Sequence, residues 1–428
     1  MKVLMFGWEF PPHISGGLGT ACYGLTKGLS KIADLEVIFV VPKVYGDEQN
    51  NSVSIIGANQ IPVIKKNVHV DGFINKMKIY EVGVNLIPYL SPEEYEKSFS
   101  VSYGGSKKYV TTNDKGMFEF SGTYGPNLFQ EIANYAVVAS VLGTEVNFDI
   151  IHAHDWLTYP AGIAAKTVSG KPLVVHVHAT DFDRSGGKVN PAVFEIEKEG
   201  MMAADRVITV SNFTRNIVID KYGIDPSKVF TVYNAVEPIE VQENLKITKG
   251  FDEKIVTFLG RVTMQKGPEY FVEVAHKVLQ KMDNVRFVMA GSGDMLNKMI
   301  AHAAKLKIMD KFHFTGFLAG DDVYRMYYMS DVYVMPSVSE PFGISPLEAM
   351  QSNVPVIISN QSGVSEILNH AIKVDFWDID AMSDAIYGIL NYPALYKMFS
   401  TYGKTEVEGL KWENSALKVK EVYDSVYA

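Results

Sequence analysis

"KIVTFLGRVTMQKG", Lys254 to Gly267, decides the fold. Its first half is a short apolar run rich in β-branched residues, and its second half is a polar turn closed by glycine. "PEYFVEVAHKVLQKM" follows with the spacing of a helix. The segment just before, "VYNAVEPIEVQENLKITKGFDEK" (Val232 to Lys254), is polar and without periodicity. A strand–turn–helix rhythm therefore restarts after a linker. It continues through "VRFVMAGSG", "KFHFTGFL", "VYVMPSV" and "VPVIISN". The same rhythm runs through the first half of the chain in "KVLMFGWEF", "EVIFVVPK", "DIIHAH", "PLVVHVHA" and "RVITVS", with helical segments between. Short apolar runs bounded by turn formers, separated by helices, predict parallel strands covered on both faces. The fold class is α/β: two Rossmann-like doubly wound domains facing a cleft, residues 1–235 and 236–412, with the boundary near Ala235. Ligands in such sheets bind at the carboxyl ends of the strands. Gly83 to Pro126, rich in Tyr, Ser and Gly, reads as long loops or an inserted lid.

At 428 residues the chain suits two domains of roughly 200 residues each. It is 47% hydrophobic and 21% charged, a globular composition, and its formal charge of -9 argues against a nucleic-acid partner. Cys22, the single cysteine, excludes an intrachain disulfide and a multi-cysteine zinc site, and suits a reducing cytoplasm. The first apolar run is interrupted by Trp8, Glu9 and two prolines, so it reads as a buried strand and not as a signal peptide. No apolar stretch has the length of a membrane span.

Five stretches carry chemistry. In "ISGGLGTA" (Ile14 to Ala21), Gly16 and Gly17 at a strand-to-helix turn let backbone amides approach an anion, although a tight turn alone would use the same residues. The G-x-G-x-x-G dinucleotide spacing is absent. In "HAHDWLT", His152 and His154 are read as facing opposite sides of a strand, which argues against a two-histidine metal pair; Asp155 lies at the strand's carboxyl end. In "HVHATDF", His178 is expected to line the cleft and donate to a sugar hydroxyl, and His176 to be a core histidine. In "GRVTMQKG", Arg261 and Lys266 are placed at a strand end beside a helix start, where a guanidinium fork and a point charge suit a diphosphate; a solvated charge pair is the plainer alternative.

The fifth is "SEPFGISPLEAM", Ser339 to Met350. Glu340 ends a strand, "PFG" turns, and Glu348 lies one turn into the next helix. Two carboxylates in different elements are not held as a hydrolytic acid/base pair. A carboxylate on the ligand side of a helix instead suits a ribose diol. The set points toward binding of a nucleoside diphosphate.

These motifs, "GGLG", "HAHDW", "HATDF", "GRVTMQKG" and "EPFGISPLE", stand in the order found in retaining GT-B glycosyltransferases of families four and five, which the chain resembles over its whole length. "WEFPPHISGGLG" and "HAHDWLT" resemble the glycogen and starch synthases. Ile14 stands where the synthases have lysine, and "HATDF" is nearer the general family-four pattern. The resemblance implies that Arg261 and Lys266 hold the donor diphosphate, that Glu348 takes the ribose and that Glu340 lies by the transferred sugar. It also implies that Phe342, Gly343 and Ile344 offer backbone to sugar and phosphate. Gly16 and Gly17 would close from the other lobe, His178 would meet the sugar's primary hydroxyl, and Asp155 would lie toward the acceptor. Residues 413–428 would cross back onto the first domain. No metal or other cofactor is expected, because no Asp-x-Asp suits a bridging cation and the two basic side chains neutralise the diphosphate.

The expected donor is ADP-glucose or UDP-glucose and the expected acceptor a glucan or oligosaccharide. The alternatives are another family-four transferase, a nucleotide-sugar epimerase on the same fold, and a non-catalytic binding protein, which the filled acidic and basic positions disfavour. The choice of ADP or UDP, the linkage, homo-oligomerisation and regulation have no sequence signal.

Overall fold

The computed structural model describes residues 1–13, 16–48, 53–63, 113, 115–239, 249–250 and 252–427. Two parallel sheets form. The first contains β1 (Lys2–Phe6), β2 (Glu36–Val41), β3 (Ser54–Gly57), β4 (Ile150–His154), β5 (Leu173–Val177), β6 (Arg206–Thr209) and β7 (Val229–Thr231), in the order β3-β2-β1-β4-β5-β6-β7. The second contains β8 (Lys254–Leu259), β9 (Val285–Ala290), β10 (Phe312–Gly316), β11 (Val332–Met335), β12 (Val356–Ser359) and β13 (Ile372–Val374), in the order β10-β9-β8-β11-β12-β13. Every pairing between these strands is parallel. Strands such as "IIHAH" and "LVVHV" are buried at every position, because helices cover both faces of the sheet. The expected fold class is therefore the observed one.

β3, β7 and β13 had no clear signal. They are three or four residues long, and parallel pairing with a neighbour, not hydrophobic periodicity, makes them strands. Of the stretch read as loops or a lid, residues 83–112 and 114 lie outside the described residues. Its described end is not loose: Phe120 and Tyr124 are buried in the first lobe's core with Trp8 and Tyr135. Residues 240–248 and 251 of the linker also lie outside the described residues, as do Ile14 and Ser15.

Helical spacing left the last segment without an address. The helix Trp412–Asp424 lies on the first lobe, where Trp412, Ala416, Val419, Val422 and Tyr423 join a core with Leu25, Leu29 and Phe39. Glycines in the helix Gly17–Leu29 make room for it: a Cβ on Gly24 would sit 2.2 Å from the Trp412 ring, and one on Gly28 would sit 2.7 Å from the Trp412 carbonyl oxygen.

Candidate active site

In each sheet the strand order reverses once, between β1 and β4 in the first and between β8 and β11 in the second. Connections leave these neighbouring strands in opposite directions, which opens a crevice at their carboxyl ends. Gly16 and Gly17 follow β1, Asp155 follows β4, Arg261 and Lys266 follow β8, and Glu340 follows β11. All six line one cleft of about 450 Å³, together with His178, Phe342, Gly343 and Ile344. The two switch points thus face each other across a volume suited to a small molecule.

Lys266 donates from Nζ to Glu340 Oε2, and Ser337 Oγ donates to the same oxygen at 3.3 Å. Glu340 is only 6% exposed. Its backbone pairs with the exit of β12: its amide donates to the Gln361 carbonyl and its carbonyl accepts from the Gly363 amide, both at 2.9 Å. The following turn passes through Gly343 at φ 104°, a region that favours glycine. The first lobe grips the same turn. Ser211 Oγ donates to the Pro341 carbonyl at 2.6 Å, and Ser339 Oγ donates to Asp183 Oδ1 at 2.5 Å.

Asp155 takes a left-handed φ of 59°, which Asp tolerates better than most residues, and so turns the chain out of β4. Its Oδ1 accepts from the amides of His178 and Ala179 at 2.7 and 3.3 Å, and Arg184 lies 3.5 Å from Oδ2. Burial pushes its carboxyl up to about 6, against the pull of Arg184 and the two amides. Asp155 lines the cleft while holding the loop that carries His178.

The reading that His152 and His154 face opposite sides is wrong. Residues two apart on a strand share a face, and the rings of His152 and His154 stack with centroids 4.2 Å apart. His176 and His178 stack likewise at 4.3 Å. Only His178 of the four lines the cleft. Glu348 also departs from its expected surroundings. It is not among the cleft-lining residues, and its carboxylate accepts from the Tyr327 hydroxyl at 3.2 Å, while burial raises its pKa. Ser345, at the start of the same helix, reaches the cleft wall.

Sequence reasoning missed Asn234, Gln265, Ser337 and Phe317 as lining residues. Phe317 follows β10 and leaves 63% of its surface exposed on the cleft wall; an apolar side chain just past a strand end was its only signal. Asp183 and Arg184 had none, since the partners that tie them to the cleft, Ser339 and Asp155, are distant in the chain.

A family model described as glycosyl transferases group 1 matches residues 241–406, and one described as glycosyltransferase family 4 matches residues 113–239. The two matches cover most of the second lobe and the latter half of the first. The chain is a GT-B glycosyltransferase of the family four/five type. This glycosyltransferase is 28% identical to an uncharacterized glycosyltransferase of Methanocaldococcus jannaschii, over 99% of this chain and 98% of that one. It is 22% identical to a glycogen synthase of Mycobacterium tuberculosis, over 99% and 94% of the two chains. Among solved structures, a sucrose-phosphate synthase from Thermosynechococcus elongatus has the same fold, with a TM-score of 0.71 at 17% identity covering 100% and 99% of the two chains. Anabaena HepE, solved in complex with UDP and glucose, matches with a TM-score of 0.65 at 15% identity, covering 99% and 100%. Among the described residues, no helix of the glycosyltransferase is long and apolar enough to cross a membrane.

Proposed function

We propose that this glycosyltransferase moves a glucosyl unit, with retention at the anomeric carbon, from ADP-glucose or UDP-glucose to the non-reducing end of an α-1,4-glucan. One observation carries the donor half: Arg261 and Lys266 at the second switch point share a cleft with Gly16 and Gly17, which open the helix Gly17–Leu29 at the first. Two cations and the positive end of a helix converging from opposite lobes suit a diphosphate. The glucose donor is supported by the UDP-and-glucose complex of HepE. The glucan acceptor is supported by the likeness to a glycogen synthase and by the motifs shared with such enzymes.

In the proposed step the acceptor hydroxyl oxygen attacks the anomeric carbon on the face from which the diphosphate leaves. The bond from that carbon to the phosphate oxygen breaks, and the hydroxyl proton passes to the departing phosphate oxygen. Arg261 and Lys266 act where negative charge grows, so their attraction is larger in the transition state than in the bound donor. With neutralisation assigned to these side chains, the proposal invokes no metal ion and no cofactor. Glu340, already bonded to Lys266, orients the sugar. His178 donates to its primary hydroxyl, while Asp155 holds the His178 loop toward the acceptor side. The backbone of Phe342, Gly343 and Ile344 borders sugar and phosphate. Glu348 is proposed for the ribose, with Tyr327 fixing its carboxylate.

The test offers ADP-glucose and UDP-glucose, each with glycogen, with a short maltooligosaccharide and without acceptor. Chain extension from one donor is the expected result. Turnover only without acceptor would indicate an epimerase or a hydrolase, and no turnover of either donor overturns the glucan reading.

A further inference from the structure

The turn after β12 belongs to the second lobe, yet it closes the start of a first-lobe helix. The helix Asn212–Tyr222 begins after Ser211, whose backbone is extended and whose Oγ accepts from the Thr214 amide at 3.0 Å. The first amides of a helix have no partner within it. Those of Asn212 and Phe213 both donate to Glu366, to Oε2 at 2.9 Å and to Oε1 at 2.6 Å. The Tyr233 hydroxyl donates to Oε2 at 2.8 Å, and Asn212 Nδ2 donates to that hydroxyl at 2.8 Å. A first-lobe helix, the segment joining the lobes and the second lobe therefore meet at one carboxylate.

Glu366 is also tied to the turn that carries Glu340. It ends the short turn Gly363–Glu366. Residues 361–364 and 340–342 share three backbone hydrogen bonds: the Glu340 amide donates to the Gln361 carbonyl at 2.9 Å, the Gly363 amide to Glu340 at 2.9 Å and the Val364 amide to Phe342 at 2.8 Å. Gly363 lets this pair of turns approach the first lobe. A Cβ there would lie 2.2 Å from the Pro341 carbonyl oxygen and 2.4 Å from Ser211 Cβ. The bonded turns move as one body, so whatever holds Glu366 to the first lobe also holds Glu340, Pro341 and Phe342.

We propose that Glu366 is a positioning residue for the transfer, a latch that draws the lobes together and so seats the Glu340–Phe342 turn in the closed cleft. This rests on the reading that the turn borders the transferred sugar. Charge favours the contact, because a carboxylate at a helix start meets both the free amides and the positive end of the helix dipole. Exposure keeps it reversible. Glu366 and Asn212 are both exposed, so water takes over the carboxylate and the amides when the lobes part. A latch of this kind opens to admit donor and release product, which a buried apolar seam would resist.

The experiment compares the full-length wild type with Glu366→Gln, Glu366→Ala and Asn212→Pro. Glu366→Gln keeps one acceptor and turns an N–H toward the other amide. Asn212→Pro deletes a first-lobe donor without touching the carboxylate, and proline suits the first helical position after the extended Ser211. Small-angle X-ray scattering without ligand is expected to give all three variants a larger radius of gyration than the wild type at low ionic strength. The difference should shrink at high ionic strength, where screening weakens the wild-type contact. Hydrogen exchange at Phe213 should quicken in both Glu366 variants. The donor KM is expected to rise about two- to fivefold, the worth of one exposed charge at a helix start, at a nearly unchanged unfolding midpoint. At saturating donor kcat should recover, because a donor held by Arg261 and Lys266 on one side and by Gly16 and Gly17 on the other bridges the lobes itself. Combining Glu366→Ala with Asn212→Pro should add nothing to either alone. A wild-type radius of gyration in the Glu366 variants, or a lowered kcat with KM intact, overturns the proposal. Scattering and exchange need no substrate: opened variants with no turnover of either glucose donor uphold the latch and overturn the glucan reading alone.

Discussion

Lys266 and Glu340 are bonded to each other although 74 positions separate them, because β8 and β11 are neighbours in the second sheet. The ammonium assigned to the diphosphate and the carboxylate assigned to the sugar thus wait as a pair in the cleft. Neither is left as an isolated buried charge, which would cost several kcal/mol.

Lys266→Ala is expected to lower kcat/KM by about 100-fold or more, since it removes charge where the transition state needs it. It also strands Glu340 with only Ser337. Adding Glu340→Gln should therefore restore the lost unfolding free energy while leaving activity low. Unchanged turnover in steady-state assays of Lys266→Ala would remove its diphosphate role.

Ser339→Ala deletes a hydrogen bond that joins the lobes beside the cleft, yet Asp183 keeps the Thr180 amide and hydroxyl at 2.8 Å each. The expected outcome is a donor KM raised about three- to tenfold, with thermal stability nearly unchanged. Donor hydrolysis without acceptor should rise as closure weakens. A changed melting temperature with unaltered KM would assign the bond to folding alone.

Stability should fall as the pH drops through 6.5. The four stacked histidines stay neutral when folded, whereas the unfolded chain takes up their protons below that value. Each costs about 1.4 kcal/mol by pH 5.5. Buried carboxylates work the other way: burial raises Asp155 and Glu197 to about 6 and 7, and raises Asp181, Asp183, Asp294 and Glu348 as well, so the folded state gains protons there as the pH falls. The histidines outweigh them, because all four stay neutral when folded across this range while the unfolded chain protonates each one. His176→Phe keeps a ring in the stack and should reduce the slope of unfolding free energy against pH by one proton, read from urea titrations at pH 7.0 and 5.5. An unaltered slope would show that His176 is not held neutral.

Gly28→Ala is expected to destabilise by about 1–3 kcal/mol, because the new methyl meets the Trp412 backbone, which cannot rotate away. Gly388→Ala offers the contrast. Its methyl would make only an ordinary 3.5 Å contact with Leu395, so helix propensity should dominate and stabilise by up to about 1 kcal/mol. Equal effects in thermal unfolding would contradict the close approach of the C-terminal helix.

The alternation of apolar runs and helices determined the doubly wound class, since burial on both faces leaves that pattern in every long strand. The same pattern located the strand ends, and with them Arg261, Lys266, Asp155 and Glu340. Local sequence could not supply anything set by pairing across the chain. β3, β7 and β13 exist because a neighbouring edge accepts them. The address of the last helix depended on where Gly24 and Gly28 left space for Trp412. Glu348 met Tyr327, and Asp183 met Ser339, through contacts that no spacing encodes. The histidines show the division most plainly. Their two-residue spacing fixed a shared face, although that spacing was misread, but only the parallel register of β4 and β5 made them one stack ending at the cleft.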